Sequence, residues 1–289
     1  MIRSMLFVPG NNPAMLQNAD VFGADAVILD LEDAVSPQEK DAARDLVKAY
    51  LDQLEPIKSQ IYIRINGMDT IWFQDDLQAV VSDHIDGIML PKAMVSDLKS
   101  LSDILAKIEK AKKMQKKIHI MPIVELAKSV LQIEEIAMQA RVNGILLGAE
   151  DLSADMEIER TKIGTELAYP RAKIAFACRA NKIEAIDTPF TDTKDSEGMK
   201  LDCLVAQNLG LTGKAAIHPN QLELIHEVFS PSEKRIEWAQ RVVLAAKKAH
   251  DQGLGVFSLD GKMVDKPIIE RAVKVLTKAE ECGLLEHKK

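Results

Sequence analysis

Short apolar runs of four to eight residues recur along this chain. Between them lie longer stretches in which apolar residues return every three or four positions. The short runs occupy residues 4–9, 25–31, 61–66, 86–91, 118–125, 142–149, 184–188 and 215–218. They are rich in Ile, Val and Leu, as strands covered by helices on one face and packed inside a barrel on the other should be. Eight such runs alternating with helical patterns predict an α/β fold, a (β/α)₈ TIM barrel. An open doubly wound sheet is the alternative. It is disfavoured because Pro9-Gly10-Asn11-Asn12 after the first run is a turn and not a glycine-rich phosphate loop.

Helix starts punctuate the pattern. Ser36-Pro37-Gln38-Glu39 reads as a capping box with proline at the first helical position. Ser230-Pro231-Ser232-Glu233 repeats it before a helix over 235–250, whose Ile236, Ala239, Val243 and Ala246 form one apolar stripe. The eighth run closes the barrel, so residues 1–230 read as the barrel domain and 231–289 as a C-terminal helical and lid appendage. The appendage contains Gly253-Leu254-Gly255 as a hinge, an apolar run over 256–259, an Asp260-Gly261 turn and a last helix over 267–282 with Gly283 as its C-cap.

Composition narrows the classes. An apolar fraction of 47% supplies a full core, and 37 basic against 44 acidic side chains leave a net charge of −7, which argues against a nucleic-acid partner. The lysine-rich stretch 107–117 reads as a solvated helix face. Cys178, Cys203 and Cys282 are scattered without a C-x-x-C pair, which predicts buried thiols in a reducing compartment. The start of the chain lacks a signal-peptide pattern and no apolar run is long enough to span a bilayer, so a cytoplasmic protein without a membrane partner is expected.

Barrel enzymes carry their chemistry where the strands end. Here Met121-Pro122-Ile123-Val124 ends in Glu125, and Gly144-Ile145-Leu146-Leu147-Gly148-Ala149 ends in Glu150-Asp151. On successive strands, Glu125 and Asp151 become neighbouring hard oxygen ligands with coordination positions to spare, which suits Mg²⁺ and a chelating substrate. Asp30 and Glu32 share a face by alternation, as do Arg64 and Asn66, and the acids read as orienting partners of Arg64. Arg64 is either a structural pair or a clamp for a substrate carboxylate. Lys92, His218 and Asp187 stand at other strand ends, where Lys92 reads as a rim charge, His218 as a loop anchor in preference to a general base, and both as candidate carrier or rim contacts. No G-x-S-x-G elbow or H-E-x-x-H motif competes, and no lysine is expected inside an apolar strand. A class I aldolase using Lys92 is the weaker alternative.

Six ordered segments carry a resemblance. They are Ser4-Met5-Leu6-Phe7-Val8-Pro9-Gly10, Leu29-Asp30-Leu31-Glu32-Asp33-Ala34-Val35, Arg64-Ile65-Asn66, Leu90-Pro91-Lys92, Gly148-Ala149-Glu150-Asp151 and Gly261-Lys262-Met263-Val264-Asp265. Together they resemble the citrate-lyase-β/malyl-coenzyme-A-lyase family of Mg²⁺-dependent lyases over nearly the whole chain. The resemblance implies a (β/α)₈ barrel, trimeric or a multiple of it, that cleaves a 3-hydroxyacyl thioester on coenzyme A or an acyl-carrier protein. It implies Glu125 and Asp151 as Mg²⁺ ligands, Arg64 as the substrate-binding arginine and Asp265 as a catalytic lid residue. Glu125 and Glu150 are implied to face the substrate. A citryl thioester giving oxaloacetate is the leading substrate, and malyl-CoA, citramalyl-CoA or β-methylmalyl-CoA are alternatives. Transferase and acyl-carrier subunits of a citrate lyase complex are the implied partners. From the residues alone Asp265-Lys266-Pro267 reads as a helix cap, which the resemblance sets level with the catalytic role, and a non-catalytic barrel with a salt-bridge cluster is the remaining alternative. Two rim segments depart from the family pattern: Leu152-Ser153-Ala154-Asp155-Met156, and Ile217-His218-Pro219, where asparagine replaces the histidine in some members.

Overall fold

The computed structural model describes residues 1–251 and 255–285. The hinge expected at Gly253-Leu254 lies outside the described residues. The chain forms two compact units, Ile2–Ile225 and a second made of Met1 with His226–Lys289.

The first unit alternates strands and helices: β1 (Ser4–Pro9), α1 (Pro13–Gln17), β2 (Ala26–Asp30), α2 (Lys40–Asp52), β3 (Gln60–Arg64), α3 (Phe73–Val80), β4 (Gly87–Leu90), α4 (Val95–Lys112), β5 (His119–Val124), α5 (Ala127–Leu131), α6 (Ile133–Ala137), β6 (Gly144–Leu147), α7 (Ala149–Asp155), α8 (Ala168–Asn181), β7 (Glu184–Asp187), α9 (Ser196–Leu209), β8 (Gly213–Ala216) and α10 (Leu222–Phe229), which runs past the unit's end. The eight strands are parallel, pair in sequence order and close through β1 and β8. All eight predicted runs are strands, with ends shifted by up to two residues.

Alternation inside the barrel places the site. Met5, Ala26, Ile28, Tyr62, Met89, Met121, Ile123, Leu146, Ile186 and Ala215 meet in the interior with Phe7 packed on them. Two residues make room. A Cβ at Gly87 would lie 2.4 Å from the Tyr62 ring, and one at Gly144 would lie 2.8 Å from Met121. Two positions further along the strands, the same inward parity reaches Asp30, Arg64, Glu125, Gly148 and Thr188. The barrel's apolar plug is therefore roofed by polar side chains.

Sequence expectation and structure differ at several places. Ser36 precedes a short 3₁₀ turn over Pro37–Glu39, but its hydroxyl meets the Glu39 carboxylate at 3.3 Å and caps no backbone group, so the reciprocal box does not form. The sixth strand stops at Leu147, and Asp151 sits in the first turn of α7 rather than at a strand end. The lysine-free apolar strands expected from sequence are contradicted by Lys214, which is fully buried within β8. Ala215 takes the inward parity, so Lys214 faces the helices. There it meets Asp187 and Asp202 at 2.6 Å each. Cys178 and Cys203 are buried free thiols, whereas Cys282 is only half-buried.

In the second unit, α11 (Glu233–Asp251), the hairpin β9 (Phe257–Leu259) with β10 (Lys262–Val264), and α12 (Lys266–Glu281) share a small core. Ala239, Val242, Val264, Ala272 and Val275 are its centre. The hairpin turn puts Asp260 and Gly261 at φ 52° and 72°, the left-handed pair that a tight two-residue turn requires. Gly283 follows α12 in the left-handed region, and Leu284 N–H donates to Ala279 O at 2.8 Å, which ends the helix as predicted.

Candidate active site

An open cavity of about 340 Å³ lies at the roof of the barrel. Phe7, Asp30, Arg64, Glu125, Gly148 and Thr188 line it from the strand ends, and Glu150 and Asp151 from α7.

Arg64 is locked in place. Its Nε and Nη2 donate to the two oxygens of Asp30 at 2.7 and 2.5 Å, a bidentate fork. Its Nη1 lies 3.0 Å from Glu32 and 3.6 Å from Asp33, and its guanidinium sits 4.9 Å from the centre of the Phe7 ring. Burial works against the charge, but these carboxylates outweigh it and hold the Arg64 pKa above its ordinary value. Asp30 also accepts from Glu32 N–H and Ala34 N–H, so one side chain shapes both the arginine and the loop after β2. Behind that loop, Lys40 donates to the carbonyls of Leu31 and Glu32 at 2.8 and 2.7 Å. Asn66 does not share the Arg64 face. The strand ends at Arg64, and the Asn66 amide turns to Asp76 and the Leu31 carbonyl.

Glu125 is 4% exposed, and its one hydrogen-bond partner among the described residues is the Lys92 backbone N–H at 2.6 Å. Burial pushes its pKa to about 8, Lys92 N–H opposes this, the charges on Glu32 and Asp151 add to it, and Arg64 draws it back. Burial likewise raises Glu32 to about 7, against the pull of Arg64 and with the push of Asp33 and Asp30. Gly148 is part of the cradle: a Cβ there would lie 2.4 Å from Glu125 Oε2. A half-buried Asp151 completes the acidic wall.

The donor set fits a hard divalent cation. A buried carboxylate whose only bonded partner is neutral, beside a second carboxylate, is stabilised by bound positive charge. Among the described residues no group of three or more His, Cys, Asp or Glu converges on one point. Two carboxylates leave the remaining positions to water and substrate oxygens.

The other predicted residues are placed as follows. Glu150 lines the cavity, but its carboxylate is mostly exposed and pairs with Arg160 at 3.0 Å. The Lys92 side chain is exposed. His218 is exposed, and its Nδ1 accepts from Asn220 N–H at 3.2 Å, capping a short turn. Asp187 points away from the cavity to Arg171 and Lys214. Asp265 caps α12, with its Oδ1 accepting from Ile268 N–H at 3.3 Å. Sequence reasoning missed Phe7, Gly148 and Thr188 as cavity walls. Their inward parity with Met5, Leu146 and Ile186 was the available signal.

A closed parallel barrel with an acid-lined cavity at the carboxyl ends of its strands, and one arginine clamped beside it, has the layout of a (β/α)₈-barrel enzyme. Residues 3–219 match the family model described as HpcH/HpaI aldolase/citrate lyase, and the chain belongs to that family. It is 42% identical to the citrate lyase subunit beta of Leuconostoc mesenteroides subsp. cremoris, over 98% of this chain and 95% of that one. It is 35% identical to an L-malyl-CoA/beta-methylmalyl-CoA lyase of Cereibacter sphaeroides, over 96% of this chain and 94% of the relative. Among solved structures it resembles the protein CitE of Mycobacterium tuberculosis in complex with magnesium, acetoacetate and coenzyme A. That match has a TM-score of 0.79 and 29% identity, covering 96% of this chain and 98% of that one.

Proposed function

We propose that this chain is a Mg²⁺-dependent lyase that cleaves a citryl thioester into oxaloacetate and an acetyl thioester. One observation carries the proposal: Glu125 is buried in the cavity that Asp151 also lines, and among the described residues no cation bonds its carboxylate. The 42% identity to a citrate lyase subunit beta supports the citryl substrate over its malyl relatives.

Glu125 and Asp151 are the residues that would hold the metal. When bound, Mg²⁺ acts as a Lewis acid for the charge on the hydroxyl oxygen that becomes the ketone. The protein's own part is orientation and charge. Asp30 and Glu32 hold Arg64 rigid and engage Nε and one N–H each of Nη1 and Nη2, so the remaining N–H groups can meet a substrate oxygen. Carbon–carbon cleavage leaves a thioester enolate, and Arg64 is the donor we assign to its oxygen. The Glu150 main chain is the second substrate contact in this reading. Thr188 accepts from Ala149 N–H at 3.3 Å, which steadies that turn. Asp265, on the lid segment we place within 231–289, is assigned the proton that the enolate carbon takes up. His218 and the Lys92 ammonium are the rim contacts we assign to the coenzyme A or carrier-protein arm. The barrel, 1–230, acts with transferase and carrier subunits in an assembly.

Purified chain assayed with citryl, malyl, citramalyl and β-methylmalyl thioesters tests the substrate. Oxaloacetate release from citryl thioester that stops in EDTA is the expected result, and full turnover in EDTA refutes the metal site. Asp265→Asn separates acid from cap, since asparagine caps a helix as well as aspartate does. An unchanged melting temperature with turnover down about 10²–10⁴-fold fits a general acid; unchanged turnover leaves Asp265 as a cap.

A further inference from the structure

Lys92 occupies a backbone conformation that its side chain does not explain. Six non-glycine residues among those described have φ in the left-handed region. Lys113 and Lys182 end α4 and α8 there, Glu157 follows α7, Arg141 sits in the turn before β6, and Asp260 forms the hairpin turn. Such positions are where left-handed residues usually occur. Lys92, at φ 48°, belongs to neither a helix end nor a hairpin. It stands two residues past the end of β4, where the chain leaves the barrel wall.

The turn redirects two backbone donors. Ala93 N–H reaches across to Ile123 O at 3.3 Å, which extends the contact of β4 with β5 past the last strand pair, Leu90 with Pro122. Lys92 N–H is thereby left over from the ladder, and it donates to Glu125 Oε1 at 2.6 Å. On the other side Gly148 offers no Cβ, so Glu125 Oε2 occupies that space. The carboxylate is thus held between one aimed N–H and one missing side chain. A left-handed residue costs free energy when it carries a Cβ, most of all a branched one. Strain of this kind persists where the surrounding structure uses it.

We propose that Lys92 is a positioning residue for Mg²⁺ that acts through its main chain: its left-handed turn aims one N–H at Glu125 and so fixes the carboxylate that holds the ion. The inference rests on the reading of Glu125 as a metal ligand and is separate from any contact its ammonium makes with a carrier.

The test is Mg²⁺ titration calorimetry on the full chain, with metal-free melting in parallel, for Lys92→Gly, Lys92→Asn, Lys92→Ala and Lys92→Val, and with Glu125→Gln as reference. Backbone positioning ranks affinity by tolerance of positive φ and not by charge. Glycine and asparagine keep the dissociation constant within about twofold, and valine weakens it about 10–100-fold, the range seen when support behind a metal ligand is lost. Alanine, milder than valine, falls between and keeps the ranking readable if valine does not fold. Glycine losing affinity as far as valine, or valine binding like wild type while Glu125→Gln does not, overturns the inference alone. Unchanged binding by Glu125→Gln overturns the metal-site reading and this inference with it.

Discussion

Two of the buried charge clusters in this barrel differ in their balance. One, between the barrel wall and helices α8 and α9, joins Arg171 and Lys214 to Asp187 and Asp202. Two cations face two anions at 2.6–2.9 Å, and three of the four side chains are wholly shielded from solvent. Burial lowers the Lys214 pKa, but Asp187 and Asp202 more than compensate and raise it. The other cluster roofs the cavity, where Arg64 faces Asp30, Glu32, Glu125 and Asp151. Its surplus is negative, and burial with mutual repulsion pushes two of its acids up to about 7 and 8. A charge-neutral cluster, in which each cation meets both acids and only Arg171 Nη1 stays without a hydrogen-bond partner among the described residues, joins elements together. An unbalanced one is completed from outside, and that contrast separates scaffold from site without reference to any relative.

The contrast makes opposite predictions for substitutions of similar chemistry. Lys214→Met leaves two buried carboxylates to one arginine and should cost about 3–5 kcal/mol of stability. Denaturant midpoints measure it, and the Mg²⁺ dissociation constant should stay at the wild-type value. A matching fall in metal affinity would erase the distinction between the clusters. Arg64→Lys keeps the charge but loses the fork on Asp30. It should lower kcat on the citryl thioester by about 10²–10³-fold with little change in melting temperature. A variant with wild-type kcat would move Arg64 to the structural side.

A smaller effect follows from proton competition. Glu125 is raised in the folded chain, so without metal it favours the fold below its ordinary pKa of 4.5 and loses that contribution as pH rises through about 8. Glu32 acts in the same direction with its upper limit at about 7. Magnesium requires the deprotonated carboxylate, so its stabilising effect grows across the same window. Between pH 6 and pH 8 the ionised fraction of a group with a pKa near 8 rises about 50-fold, and Mg²⁺ affinity should follow. Melting curves with and without Mg²⁺ at several pH values read this directly. A pH-independent difference would place the ion elsewhere.

Much of this architecture was legible because period and parity are local properties. Eight apolar runs spaced by helical stretches specify eight parallel strands with crossovers, and the pairing of β1 with β8 closes them into a barrel. Parity along β2, β3 and β5 carried Asp30, Arg64 and Glu125 to the inner face together. Parity fails where a strand stops. Asn66 lies beyond the end of β3 and turns to Asp76, and Asp151 reaches the cavity from a helix that begins at Ala149.

Residue order was enough to lay out the barrel strands and to carry Asp30, Arg64 and Glu125 to one face, since each depends on spacing within one segment. It paired Arg64 with Asp30 and Glu32 but was silent on the cluster behind the barrel wall. Lys214 and Asp202 lie 12 positions apart, Arg171 and Asp187 16 apart, yet folding brings all four into one closed knot. The surplus on the opposite cluster, the raised pKa values of Glu32 and Glu125 and the aimed N–H of Lys92 likewise arose from packing. Burial and Coulomb energy depend on distances between segments, and those distances exist only once the chain has closed on itself.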